Sequence, residues 1–156
     1  MSDYYYTLRS CAEEEIKVKG SRFLGWCGPL KTEEKALNRI NKIKKTLHSA
    51  THHCTAYIIG SSADRRITRC NDDGEPSGTA GRPILEAMKH LNLVDALCVV
   101  TRYYGGVKLG TGGLARAYGK TAAKTLAAAG RKKEYITEPV TIVFDYGLTS
   151  IVEQIL

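Results

Sequence analysis

Residues 96–129, ALCVVTRYYGGVKLGTGGLARAYGKTAAKTLAAA, carry three local patterns in one continuous stretch. The apolar run 96–101 is flanked by turn residues, which favours a buried strand. Residues 105–113 contain five glycines and predict a loop. Residues 114–129 are rich in alanine and are followed by Gly130, as is typical of a helix and its C-terminal cap. This order of strand, loop and helix predicts a domain of mixed α and β structure.

The chain on either side alternates between strand and helix patterns. A helix is predicted after Thr32, with an apolar face and a basic face that either is solvated or contacts nucleic acid. A second helix is predicted at 79–91. A partial strand at 135–144 is interrupted by Pro139, and an apolar segment begins at 150. Further strands are predicted at 4–8, 15–19, 23–27, 54–59 and 66–70, the last two pairing across a turn.

Composition sets limits on the class of protein. The 156 residues carry a net charge of +7, which favours anionic partners such as RNA, phosphates or acidic proteins. No apolar run approaches the ~20 residues of a membrane helix, and the first ten residues lack the pattern of a signal peptide. The five cysteines are odd in number and show no CxxC spacing, which predicts free thiols. A cytoplasmic location is therefore expected.

The acidic motif, NDDGEPSGTAGR at residues 71–82, joins a tight turn to the start of a helix. Helix N-termini expose unpaired N–H groups and attract anions. The acidic side chains oppose an anion on the loop itself, so they either cap backbone donors or hold a cation together with a phosphate. A rigid capping loop is the purely structural alternative. The residues expected to shape a site are Asp72, Asp73, Glu75, Ser77, Gly78, Thr79 and Arg82.

The glycine-rich motif, TRYYGGVKLGTGGLARAYG at residues 101–119, fits neither GxxxxGK[ST] nor GxGxxG. It offers backbone N–H donors among cations, which suits a phosphate backbone or an extended peptide. Three tyrosines, Tyr103, Tyr104 and Tyr118, offer flat faces for stacking on a base. Close backbone packing is the structural alternative. The candidate residues for binding a ligand or nucleic acid are Arg102, Tyr103, Tyr104, Gly105, Gly106, Lys108, Gly112, Gly113, Arg116 and Lys120.

Other candidate chemistry is weak. His52, His53 and Cys54 are adjacent, but neighbouring residues of a strand point to opposite faces, and the two that share a face do not make a zinc site. No nucleophile and base stand at a recognisable spacing, and no GxSxG occurs. We expect no catalytic residue, no metal and no cofactor.

Three segments together resemble the IMPACT/YigZ family. They are ATHHCTAYIIG at 50–60, NDDGEPSGTAGRPIL at 71–85 and VVTRYYGGVKLGTGGLARAYGKTA at 99–122. The resemblance covers about residues 10–130. It implies an α+β fold like the second domain of ribosomal protein S-five, with a four-stranded sheet and helices on one face. It also implies an Impact N-terminal-like domain at 1–136, and at 137–156 the start of an incomplete ferredoxin-like domain of the bacterial type.

The resemblance further implies a role around translation. Eukaryotic relatives regulate a stress kinase that phosphorylates an initiation factor, and nucleic-acid binding is the usual proposal for bacterial relatives. The leading hypothesis is a non-enzymatic module that binds RNA, the ribosome or a translation factor. An enzyme or binder of a phosphate or nucleotide ligand, and a protein–protein adaptor, are the alternatives. The sequence leaves the oligomeric state open.

Overall fold

A computed structural model of the chain describes residues 3–156, the side chain of Ala63 excepted. The predicted domain 1–136 therefore begins with two residues, 1 and 2, that lie outside the described range. Seven strands and four α-helices follow one another in the described chain: β1 (Tyr4–Leu8), β2 (Ala12–Val18), β3 (Ser21–Pro29), α1 (Glu33–Thr46), β4 (His52–Ile59), β5 (Ile67–Asn71), α2 (Gly81–His90), β6 (Ala96–Tyr103), α3 (Gly110–Ala129), β7 (Arg131–Tyr135) and α4 (Thr149–Ile155). Short 3₁₀ turns lie at Ala63–Arg65 and Tyr146–Leu148.

The main sheet has five antiparallel strands in the order β2-β3-β6-β4-β5. The α+β class is confirmed, whereas the expected count of four strands is wrong. The fifth strand, β2, alternates between exposed and half-buried residues and pairs along its whole length with β3. Strands β1 and β7 form a separate antiparallel ribbon.

Helices cover both faces of this sheet, which corrects the expectation of helices on one face. Helices α2 and α3 pack over one face, around a core that includes Phe23, Met88 and Val100. Helix α1 packs over the other face, where Ala36 and Ile40 are buried. Because both faces are covered, β4 and β6 are apolar and buried almost throughout.

Helix α3 lies close against β3 because Gly25 has no side chain. A Cβ atom on Gly25 would lie 2.0 Å from the Thr125 hydroxyl oxygen. The helix also starts earlier than predicted, at Gly110 rather than Leu114, so the glycine-rich loop is shorter than 105–113. Packing of a 20-residue helix offsets the poor helix propensity of the glycines in its first turn.

The last part of the described chain differs from the predicted strand at 135–144. Strand β7 ends at Tyr135, and residues 136–145 form no helix or strand. Helix α4 follows, with no buried residue. The domain boundary at 136/137 and the ferredoxin-like identity of 137–156 stay predictions. No helix among residues 3–156 is both long enough and apolar enough to cross a membrane.

Candidate nucleic-acid interface

The acidic motif and the glycine-rich motif meet at a buried ion pair. Glu75 Oε1 lies 2.7 Å from Arg102 Nη1, and the side chains are 2% and 6% exposed. Arg102 also donates from Nε and Nη2 to the Ser21 hydroxyl, at 3.3 Å each. Its guanidinium is therefore engaged inside the domain. Its predicted role at a ligand stays a prediction, and the geometry assigns it a structural partner.

Two further side chains lie at the Glu75 carboxylate, and one of them donates to it. The Tyr118 hydroxyl donates to Oε1 at 3.0 Å, and His52 Nε2 lies 3.3 Å from the same oxygen. His52 Nδ1 lies 2.7 Å from the Asp73 carbonyl oxygen, which can only accept, so Nδ1 carries a proton in this arrangement. Burial raises the pKa of Tyr118 far above its ordinary value. A single buried carboxylate thus joins β4, β6, α3 and the acidic motif.

Asp72 caps the start of α2. Its Oδ1 accepts from the backbone N–H groups of Ala80 and Gly81, at 3.1 and 2.8 Å, and its Oδ2 accepts from Gly78 at 2.9 Å. Partial burial opposes ionisation of Asp72, but these three donors outweigh it and lower its pKa. The helix N-terminus that could have attracted an anion is therefore occupied by the chain's own carboxylate.

Asp73 fixes the other side of the turn. Its Oδ2 accepts from the His53 backbone N–H at 2.7 Å, and its Oδ1 lies 3.9 Å from Lys44 Nζ. Among residues 3–156, no group of three or more His, Cys, Asp or Glu side chains is placed to hold a metal ion. The Thr79 hydroxyl donates to the Pro76 carbonyl oxygen. Of the seven residues expected to shape a site, three are exposed: Ser77, Gly78 and Arg82.

The adjacent residues His52, His53 and Cys54 divide between the two sheet faces as predicted. His53 Nδ1 lies 3.0 Å from the Thr101 hydroxyl, away from the cluster around Glu75. The Cys54 thiol donates to the Asp72 carbonyl oxygen at 3.1 Å, and burial raises its pKa to about 12. All five cysteines are free, as the spacing predicted.

The loop of the glycine-rich motif, residues 104–109, is mostly exposed. Tyr104 has 49% of its surface exposed, and its ring lies 5.4 Å from the Arg102 guanidinium carbon. Tyr103 is half-buried with the Arg22 guanidinium 5.3 Å from its ring. Gly105 packs against the β2–β3 turn, where a Cβ atom on it would lie 2.0 Å from the Gly20 carbonyl carbon. Gly106 has a φ of +88° and faces open space.

Cations lie before and after the first turn of α3, which itself holds no charged residue. Leu109 provides no side-chain cap, and the turn holds no Asp or Glu. Arg116 Nη1 lies 3.2 Å from the Cβ position of Gly112, so its guanidinium folds back over this turn. Lys108, Arg116 and Lys120 are exposed, and none forms an ion pair within the described chain. We call these three residues with Tyr104 the cationic surface.

Tyr118 was expected to stack on a base, and this is wrong because the residue is 0% exposed. Its ring lies edge-on to Phe23, with centroids 5.2 Å apart. The helical spacing of Leu114, Tyr118 and Ala122 carried the signal for burial. Ser21 and His52 were also missed as members of the cluster, since no local pattern links them to Glu75.

The surrounding sequence strengthens the cationic character. Residues 96–133 contain no Asp or Glu, yet they contain eight basic residues. The nearest acidic residues of the acidic motif have their carboxylates turned toward donors of the chain itself. The basic residues of 96–133 are Arg102, Lys108, Arg116, Lys120, Lys124, Arg131, Lys132 and Lys133.

Comparison with known proteins places this arrangement in a family. A family model described as the Impact N-terminal domain matches residues 19–126. The chain is 50% identical over 122 residues to "IMPACT family member YvyE" of Bacillus subtilis, a match that spans 78% of the chain and 55% of that relative. It is 36% identical over 151 residues to an "IMPACT family member" of Haemophilus influenzae, spanning 97% of the chain and 73% of the relative.

Among solved structures, the chain is similar to one described as the crystal structure of a hypothetical protein. The TM-score is 0.82 at 29% sequence identity, over all of this chain and 76% of the other. The chain thus spans little more than half the length of the Bacillus relative and about three quarters of the solved structure. The sequence matches, together with the fold, show that this chain belongs to the IMPACT family.

Proposed function

We propose that this domain is a binding module of the translation apparatus that contacts the phosphate backbone of RNA through the cationic surface. Family membership and the resemblance to members that regulate translation support the setting. The observation that carries the proposal is the exposed trio Lys108, Arg116 and Lys120, which has no ion-pair partner in the described chain. RNA alone, RNA in the ribosome and RNA held by a translation factor share this chemistry.

The two motifs contain buried residues that hold the loop in place and exposed residues that are free to bind, and this separation supports the same proposal. Arg102 and Glu75 position the loop from inside the domain, and Asp72 and Asp73 hold the acidic motif in place. Lysine and arginine side chains at the surface then supply the charge that neutralises phosphates, and Tyr104 supplies a face for stacking on an unpaired base. Gly106, whose Cβ position faces open space, gives the RNA backbone close access to the chain.

The decisive experiment measures binding of fluorescein-labelled single-stranded RNA by anisotropy between about 50 and 200 mM salt. Affinity for a single strand should fall with a slope of about −0.7 per phosphate contact on a double-logarithmic plot. The triple variant Lys108→Ala, Arg116→Ala, Lys120→Ala should therefore flatten the slope by about 2.

A matched control removes three lysines that are equally exposed but lie elsewhere: Lys31, Lys45 and Lys89. This second triple variant has the same net charge as the first. An equal loss of affinity in both variants would show that binding follows net charge alone. An affinity independent of salt in the unmodified chain would exclude phosphate contact at any surface.

A further inference from the structure

The sheet face that carries α1 is only partly covered. Ala36 and Ile40 of α1 pack on side chains of β4 and β6, among them Tyr57 and Val99. Neighbouring strands lie about 4.8 Å apart and a helix with its side chains is about 10 Å wide, so one helix covers roughly half of a five-stranded sheet. The opposite face carries two helices over the same five strands. Space for a second helix is therefore left beside α1, over β3 and β2.

A groove occupies this space. Its main cavity has a volume of about 610 Å³, and an apolar floor is formed by half-buried side chains, Leu24 and Trp26 from β3 and Ile43 and Leu47 from α1. A second cavity of about 360 Å³ adjoins it and shares Trp26, Arg39 and Lys42. The groove thus runs along one side of α1.

The two walls of the groove carry opposite charges. Glu13 and Glu15 of β2 pair across the sheet with Trp26 and Leu24, so their side chains lie on the groove face, where Glu15 also pairs with Arg22 at 2.6 Å. Arg39 and Lys42 line the groove from α1. The Arg39 guanidinium lies 4.9 Å from the Trp26 ring, at the junction of the two cavities.

We propose that this groove binds an amphipathic α-helix of a partner protein. The apolar stripe of that helix packs on Leu24 and Trp26, with a basic edge toward Glu13 and Glu15 and an acidic edge toward Arg39 and Lys42. A helix packed against α1 at the usual 8–10 Å lies over β3 and β2, where it completes the layer. The carboxylates of the β2 wall favour a protein helix over RNA, since they repel phosphates. This surface is separate from the cationic surface, and the proposal does not depend on RNA binding.

The single tryptophan of the chain provides a direct readout, because Trp26 lies on the groove floor. Three designed helical peptides without Trp or Tyr share one leucine stripe. The first peptide carries Lys along one edge of the stripe and Glu along the other. The second carries Lys along both edges, and the third carries Glu along both edges. The Lys/Glu peptide should change the Trp26 emission and bind most tightly. Equal affinity for all three peptides, or no response of Trp26 to any of them, would overturn the proposal.

Variants in β2 test the charged wall. The double variant Glu13→Gln, Glu15→Gln should lower the affinity for the Lys/Glu peptide about two- to tenfold, as expected for the loss of two partly exposed ion pairs. Glu14→Gln is the matched control, because the Glu14 carboxylate lies 3.5 Å from Lys124 Nζ on the opposite face. An equal effect of Glu14→Gln would remove the claim for this wall. Displacement of the peptide by single-stranded RNA, with a shift of Trp26 emission, would assign the groove to RNA instead.

Discussion

Glu75 and Arg102, 27 positions apart in sequence, form a buried ion pair with 2.7 Å between Oε1 and Nη1. The pair joins the acidic motif to the glycine-rich motif, which together contain the predicted site residues. A buried charge is tolerated only when its partners satisfy it, and here Tyr118 and Ser21 complete the set of hydrogen bonds. The cluster therefore supports the surface loop from inside the domain.

Removing Glu75 should destabilise the fold severely. Glu75→Ala leaves the Arg102 guanidinium buried without its carboxylate, a situation that typically costs about 3–5 kcal/mol. Urea unfolding followed by circular dichroism measures the loss. The control is Glu15→Ala, which breaks an exposed pair with Arg22 and should change stability little. Similar losses in both variants would contradict the structural role given to the buried pair.

Asp72→Asn should destabilise the chain in a pH-dependent way. The folded-state pKa of Asp72 is lowered, so its contribution to the free energy of unfolding is complete above its ordinary pKa near ~3.9 and is lost as pH falls through the folded value. Asn retains the oxygen that accepts from Ala80 and Gly81 but sets its NH₂ group against the Gly78 N–H, which should cost about 1–3 kcal/mol at neutral pH. The difference between variant and parent should shrink below pH ~4. A difference independent of pH would show that the charge of Asp72 is not what stabilises α2.

Two glycines of the same motif should respond in opposite ways to alanine. Gly105→Ala places a Cβ atom against the backbone of Gly20 and should lower the melting temperature, because both backbones would have to separate. Gly112→Ala meets only the flexible end of Arg116 within α3 and should be neutral or stabilising by up to about 1 kcal/mol. Thermal unfolding of both variants measures the contrast, and a stable Gly105→Ala would refute the close approach of the two turns.

The tyrosines should separate stability from binding. Tyr118→Phe removes a buried donor to Glu75 and should cost about 1–2 kcal/mol of stability. Tyr104→Ala should leave stability nearly unchanged. It should weaken the binding of single-stranded RNA by about 1–3 kcal/mol if one base stacks on the ring. Urea unfolding and RNA anisotropy on both variants give the comparison. Unaltered RNA affinity in Tyr104→Ala would remove the stacking contact.

Local sequence patterns predicted most of the elements. Strand β1 and the Thr32 cap of α1 were placed correctly, and β4 pairs with β5 across the predicted turn. The count of four strands was implied by the family resemblance, and it is too low because β2 pairs with β3 at the edge of the sheet. The apolar run of β6 is the sequence feature that fits helices on both faces. A strand with one solvated face would alternate between apolar and polar residues.

The candidate site was predicted less completely, for a different reason. Charge and glycine content selected two segments, and the structure brings them together at the pair of Glu75 and Arg102. The local sequence could not show that Arg102 faces inward, because an arginine is usually exposed unless it is paired and its carboxylate partner lies in another motif. The roles of the exposed residues at a ligand stay predictions.

The inward orientation of the acidic motif also has an electrical consequence. Glu75 is paired with Arg102, and Asp73 lies 3.9 Å from Lys44, so part of the negative charge of the motif is neutralised locally, whereas the exposed cations of the α3 start have no ion-pair partner in the described chain. The positive charge of this region is thus concentrated on one side. The resulting electrostatic field orients an approaching polyanion before any contact forms. Steering of this kind raises an association rate and weakens with ionic strength, so the proposed RNA contact should form more slowly as salt is added.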